Sequence, residues 1–260
     1  MRFVDTHTHL YDEAFDADYA EALERARQAG VTTLIYPGID SKVHDRMVEK
    51  CALSRGMAHY AVGVHPTSVD SDCMRELMFV EDILKRNRNE ICAIGEIGLD
   101  CYWSREFLEQ QKEIFYRQMI LASQYDLPVL IHIRDAYDVL FEVLDILKKE
   151  KVANRGIFHA FSGSLETYTR LKHYGNWLFG IGGVVTYRKA SIAQTLTHIP
   201  LTDLVLETDS PWLTPVPHRG KRNEPSYIPY IASRIAEIKE IGIEEVAATT
   251  TENAIKLFNI

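Results

Sequence analysis

Eight short apolar runs, each followed by an amphipathic stretch, set the main constraint on what this 260-residue chain can fold into. The runs fall at residues 3–5, 33–36, 60–64, 91–94, 129–131, 156–158, 177–181 and 204–206. Their apolar residues are consecutive rather than alternating, which suits parallel strands covered on both faces. Between them the spacing predicts helices over 16–29, 42–54, 74–87, 105–125, 137–149, 165–174 and 191–198, with two more over 227–240 and 244–258. Eight such units fit a closed (β/α)8 TIM barrel of the α/β class better than an open doubly wound sheet. No Gly-x-Gly-x-x-Gly follows the first run to favour the open form. The rhythm runs without a low-complexity segment or an interdomain linker, so residues 1–260 are expected to form a single TIM-barrel domain. The Pro-containing stretch at 211–229 reads as a long functional loop after the eighth run.

Composition narrows the function classes. A protein that coats long duplex DNA gains affinity from a basic face. This chain has a formal net charge of −8, so any nucleic acid it meets is expected to be a short stretch or an end, with bound cations supplying positive charge. Its four cysteines, Cys51, Cys73, Cys92 and Cys101, form no Cys-x-x-Cys pair and read as free thiols in a reducing compartment. The N-terminus lacks a secretory apolar segment, and no apolar stretch approaches the ~20 residues of a membrane span. A cytoplasmic protein without a membrane partner, acting as a monomer, is expected.

Active sites of such barrels sit at the C-terminal ends of the strands. There the reactive side chains collect. Asp5-Thr6-His7-Thr8-His9 ends the first run, His65 follows the third, Glu96 the fourth and His132 the fifth. His159 follows the sixth run, and Glu207 and Asp209 the eighth. A His-x-His pair on an extended segment points both imidazoles to one side. A single histidine at a strand end is ordinarily a hydrogen-bonded structural residue, but a closed barrel brings all these ends together. His7, His9 and Asp209 can surround one divalent ion, His132 and His159 a second, and Glu96 can bridge them. Such ions lie about 3.5–4 Å apart and clamp the attacking and leaving oxygens of a displacement. Glu96 and Asp209 are therefore the catalytic candidates, Asp209 doubling as ligand and proton acceptor. Imidazole ligands favour Zn²⁺ or Mn²⁺.

Seven segments carry a resemblance, in order along the chain. They are Asp-Thr-His-Thr-His at 5–9, Gly-Val-His-Pro at 63–66, Gly-Glu-Ile-Gly-Leu-Asp at 95–100, His-Ile-Arg-Asp-Ala at 132–136, His-Ala-Phe-Ser-Gly at 159–163, Glu-Thr-Asp-Ser-Pro at 207–211 and Arg-Asn-Glu-Pro at 222–225. Together they resemble the TatD family of metal-dependent nucleases, within the wider amidohydrolase-like metallohydrolase barrels. The resemblance implies a (β/α)8 fold and hydrolysis of phosphodiester bonds in DNA, often from the 3′ end of single strands, with Mg²⁺ supporting the reaction, and points to a role in DNA repair. It places the metal ligands at His7, His9, Glu96, His132, His159 and Asp209, and puts His65 near the substrate. Many amidohydrolases bridge two metals with a carbamylated lysine after the fourth strand. Here Glu96 takes that place, and no lysine occurs between Arg86 and Lys112. Cys101 stands where the family more often has an aromatic.

For substrate contacts, Arg134 lies two residues beyond His132 and can reach a phosphate from the same side, or pair with Asp135 or Asp138. Tyr102 and Trp103 can stack on a base or plug the barrel rim. Arg219, Lys221 and Arg222, beside Asn223, form a basic cluster that either grips the DNA backbone or is a solvated loop. A small-molecule amidohydrolase or esterase using the same two-metal site is the alternative function, since one barrel hosts many chemistries.

Overall fold

In the computed structural model, which describes residues 1–152 and 154–260, the eight apolar runs form one sheet of parallel strands in the order β1 to β8. The strands are β1 (Phe3–Asp5), β2 (Val31–Tyr36), β3 (Ala58–Val62), β4 (Ile91–Asp100), β5 (Val129–Arg134), β6 (Arg155–Phe158), β7 (Asn176–Ile181) and β8 (Leu204–Leu206). The last strand returns to the first: Thr6 donates its backbone N–H to the Leu206 carbonyl at 3.0 Å, and Asp209 N–H donates to the His7 carbonyl at 2.9 Å. With helices between successive strands, this is a (β/α)8 TIM barrel.

The helices are α1 (Tyr19–Gln28), α2 (Ser41–Leu53), α3 (Cys73–Asn87), α4 (Leu108–Gln124), α5 (Tyr137–Lys149), α6 (Leu165–Lys172), α7 (Ile192–Leu196), α8 (Ile228–Lys239) and α9 (Ile243–Phe258). Local chemistry sets several ends. The Asp40 carboxylate accepts from Lys42 and Val43 N–H to cap α2, and Ser164 accepts from Thr167 N–H to cap α6. Two starts differ from the sequence expectation. A separate short turn, Glu13–Phe15 capped by Asp12, ends at Asp16, and α1 starts only at Tyr19. The segment from Arg105 stays irregular until Leu108, because the Asp100 carboxylate holds Tyr102 and Trp103 N–H in a turn at 2.9 and 3.3 Å.

Two apolar clusters hold the barrel. The larger lies between strands and helices. The smaller takes at least one residue from every strand, among them Val4, Ile35, Ala61, Ala93, Leu130, Ile157, Leu178 and Val205. Only the lumen lets all eight strands meet in this way. Ala254, Leu257 and Phe258 of α9 join this cluster and close one end of it. The strand ends that carry the histidines are left as the open end. The four cysteines are free, and among the described residues no helix is long and apolar enough to cross a membrane.

Candidate metal centre

The rim at the strand ends gathers five histidines and Asp209 around Glu96. His7 Nε2 lies 3.1 Å from Glu96 Oε2, and His132 Nδ1 lies 3.0 Å from Glu96 Oε1. The two oxygens of one buried carboxylate thus face different histidine groups. On the first side, His7 Nε2 and His9 Nε2 are 3.2 Å apart, and Asp209 Oδ1 lies 3.7 and 3.5 Å from them. On the second, His159 Nε2 is 3.7 Å and His65 Nε2 3.5 Å from Glu96 Oε1. The His7 and His159 rings stack at 3.6 Å between centroids. The residues at 7, 9, 96, 132, 159 and 209 expected to meet do meet.

Contacts behind several of the rings orient them. Tyr11 donates its hydroxyl hydrogen to the Pro37 carbonyl, so at 2.8 Å it can only accept from His9 Nδ1–H. That leaves the His9 Nε2 lone pair facing the cluster. The second nitrogen of His132, Nε2, lies 3.0 Å from Asp100 Oδ2, which holds the ring with Nδ1 turned inward to Glu96. His159 Nδ1 lies 3.1 Å from Glu207 Oε1, leaving Nε2 inward. A carboxylate or hydroxyl lies behind His9, His132 and His159, the arrangement of metal-ligating histidines, whereas His7 Nδ1 is buried without a hydrogen-bond partner among the described residues. His65 differs. Its Nδ1 accepts Thr67 N–H at 3.2 Å, so its Nε2 carries the hydrogen and acts as a donor rather than a ligand.

The surrounding charges and burial set each group's ionisation. Burial alone would raise the Glu96 carboxyl, but His7, His65, His159 and His132 around it hold it well below the usual range. Burial would likewise raise Asp209, and His159, His9 and His7 keep it low. Burial lowers His7 and His65, favouring their neutral forms. For His159, burial is outweighed by Glu207, Glu96 and Asp209, which push it up to about 10. Two imidazole Nε2 atoms 3.2 Å apart, with ionised carboxylates beside them, suit a divalent cation.

The backbone accommodates this crowding at particular points. Gly98 lies on β4 with φ 144°, and a Cβ there would sit 1.9 Å from the His132 carbonyl oxygen. Asp209 itself adopts φ 56°, a left-handed conformation that a non-glycine residue holds only when its surroundings impose it. Asp5 is fully buried beneath the site. It accepts from Thr208 N–H and hydroxyl at 2.9 and 2.6 Å and from His7 N–H at 3.3 Å, and burial raises its carboxyl well above the usual range.

The expected substrate contacts divide. Arg134 stacks over Tyr102 at 3.6 Å and lies 5.4 Å from Trp103, forming an exposed plate at the ends of β4 and β5. It makes no ion pair with Asp135 or Asp138. Tyr102 and Trp103 are 53% and 70% exposed, so they do not plug the rim. Arg222 and Asn223 are not brought to the cluster. Arg222 binds both Asp18 oxygens at 2.7 Å and lies over Phe15, and the Asn223 amide donates to the Thr208 and Trp212 carbonyls at 2.7 and 2.6 Å. These bonds pin the loop after β8. Four residues beside the ligands were not singled out for these positions from sequence: Asp100, Glu207, Tyr11 and Trp212. For the first two a signal existed, since period two puts Asp100 on the face of Glu96 and Glu207 on that of Asp209. Trp212, whose ring lies 5.0 Å from that of His9, carried no such signal.

Comparison with known proteins shows similarity along nearly the whole chain. The family model described as TatD related DNase matches residues 4–259. The metal-dependent hydrolase YabD of Bacillus subtilis, itself described as uncharacterized, is 39% identical over 258 residues, 98% of each chain. The crystal structure of YjjV, a TatD homologue from Escherichia coli K12, matches with a TM-score of 0.88 at 31% identity, covering 100% of this chain and 98% of that one. A TatD-family hydrolase from Entamoeba histolytica shares the fold, with a TM-score of 0.84 at 22% identity over 99% and 98% of the two chains. The chain belongs to the TatD-related DNase family of metal-dependent hydrolases.

Proposed function

We propose that this hydrolase cleaves phosphodiester bonds of DNA, shortening single-stranded ends from the 3′ side, with two divalent ions at the cluster. The position of Glu96 carries the reading: its two oxygens lie 3.1 Å from His7 and 3.0 Å from His132, so one carboxylate would serve both groups of histidines. His7, His9, Asp209 and Glu96 would hold one ion, and His132, His159 and Glu96 the other. When bound, the pair supplies Lewis-acid polarisation of the phosphate and a nucleophile at neutral pH, with Mg²⁺ supporting turnover and Zn²⁺ or Mn²⁺ able to occupy the same donors.

The chain's own groups supply the rest. Asp209, held ionised, takes the proton of the attacking water at Oδ1. His65 offers Nε2–H to a phosphate oxygen. Arg134, stacked on Tyr102 and without an ion-pair partner among the described residues, presents guanidinium N–H groups to the charge that builds up as attack proceeds. Oxygen attacks phosphorus, the P–O3′ bond breaks, and the leaving 3′ oxygen gains a proton. Tyr102 and Trp103 offer stacking faces for an unpaired base.

A time course on 5′-labelled single- and double-stranded DNA with Mg²⁺, Mn²⁺ or Zn²⁺ tests this. The expected result is a ladder shortening from the 3′ end, faster on single strands. Intact DNA under every condition, with turnover on an amide or lactone panel, would replace it by a small-molecule amidohydrolase.

A further inference from the structure

A chain of net charge −8 must hold a polyanion locally, and one surface has the required charge. The loop after β7 and the loop after β8 contain no Asp or Glu over residues 182–202 and 210–223. Within them Arg188, Lys189, Arg219 and Lys221 are exposed and have no carboxylate partner among the described residues, unlike Arg222, which is paired with Asp18. The loops are fastened to each other. Tyr187 donates its hydroxyl to the Thr214 carbonyl at 3.0 Å, Val216 N–H donates to Thr186 Oγ1 at 2.9 Å, and Arg219 lies over the Tyr187 ring at 4.3 Å. Four like charges thus lie on two fastened loops, with no carboxylate partner among the described residues. The surface continues into the metal centre through Trp212, which is 51% exposed and packs its ring against His9. The Arg134–Tyr102 plate stands at β4 and β5, across the barrel mouth.

We propose that Arg188, Lys189, Arg219 and Lys221 form a track for the backbone phosphates of the substrate strand beyond the scissile bond, with Trp212 as the stacking surface between track and metal centre. This rests on the nuclease reading above. A strand crossing the mouth would be held at both sides, by the plate at one rim and the track at the other. The track lies outside the ligand cluster, so it sets affinity for longer strands and the salt dependence of binding.

The test is fluorescence anisotropy with a labelled single strand of about 20 nucleotides carrying hydrolysis-resistant phosphorothioate links, titrated between about 50 and 200 mM salt in the presence of Mn²⁺. The variants are Arg188→Ala/Lys189→Ala and that pair combined with Arg219→Ala/Lys221→Ala. Neither Arg188 nor Lys189 makes a side-chain hydrogen bond among the described residues, so the double variant leaves the loops intact. The fourfold variant should bind about tenfold more weakly at low salt, and the slope of log affinity against log salt should flatten by about 0.7 for each phosphate that is no longer neutralised. The double variant should show about half that change. Wild-type affinity and slope in both variants, from a parent that shortens the same strand with ordinary links, would overturn the track and leave the nuclease reading standing. A parent that neither binds nor cleaves the strand would overturn both.

Discussion

Glu96 Oε1 lies 3.0 Å from His132 Nδ1, and the other nitrogen of that ring lies 3.0 Å from Asp100 Oδ2. One imidazole is held between two carboxylates, one in the cluster and one behind it. Partners behind a ligand fix its tautomer and raise its basicity. Asp100→Asn keeps the size and one acceptor oxygen but loses the charge, so Mn²⁺ affinity should fall by about tenfold, the lower end of such effects. Calorimetric titration of metal-free protein checks this; unchanged affinity would show that Asp100 only caps the turn at Tyr102.

Glu96 faces both histidine groups, so its loss should cost both ions their common ligand. Glu96→Ala should lower turnover by on the order of 10²–10³ or more, the scale of removing a main electrostatic stabiliser. Near-normal turnover in the purified variant, with its metal content measured alongside, would remove Glu96 from the bridging role.

The cluster brings carboxylates and imidazoles together only in the folded state, so a cation that binds them favours that state. At a hundredfold excess over its dissociation constant, Mn²⁺ should stabilise the protein by about 2.7 kcal/mol per site. For a chain of this size that raises the melting temperature by about 5–10 °C. Calorimetry with and without Mn²⁺, and after chelation, measures it. A Glu96→Ala variant with an unreduced shift would place the binding elsewhere.

Gly180 of β7 faces Glu207, the counter-charge of His159. A Cβ at Gly180 would sit 2.0 Å from Glu207 Oε2. Gly180→Ala should therefore displace that carboxylate, destabilise the fold by about 1–3 kcal/mol and weaken metal binding together. Denaturant unfolding and the same Mn²⁺ titration test both parts; a stable variant with normal metal affinity would show that Glu207 can move without consequence.

Away from the metal, hydrogen bonds from Arg222 and then Arg25 outweigh burial and lower the Asp18 carboxyl to about 2. An unfolded aspartate titrates near ~3.9. The folded value is the lower one, so this group's stabilisation is present above about pH 4 and is lost as pH falls towards 2. Because Asp18 is partly exposed, its size is on the order of 1 kcal/mol. Urea midpoints followed from pH 5 to 2 should fall less steeply in Asp18→Asn than in the parent, and parallel curves would contradict the pairing.

The apolar runs made the eight strands and their parallel order legible, because strands buried on both faces leave continuous hydrophobic stretches. The ligand cluster was legible for a related reason: His7, His9, Glu96, His132, His159 and Asp209 all stand where those runs stop. What sits behind the ligands was harder to read. Asp100 and His132 are 32 positions apart, and Glu207 and His159 are 48 apart, so their pairing depends on strand register rather than on local pattern. Tyr11 fixes His9 only because the Pro37 carbonyl takes its hydroxyl hydrogen. Arg222 and Asn223 looked available in a basic loop, yet Asp18 and the Thr208 and Trp212 carbonyls, distant in sequence, take up their hydrogen bonds.

The central claim is that one carboxylate, Glu96, joins two metal ions. Crystals grown with Mn²⁺ and measured for anomalous scattering test it most directly. The account predicts two peaks about 3.5–4 Å apart, one beside His7, His9 and Asp209 and one beside His132 and His159, each bound to a different Glu96 oxygen. A single peak, or two peaks of which only one touches Glu96, would contradict it.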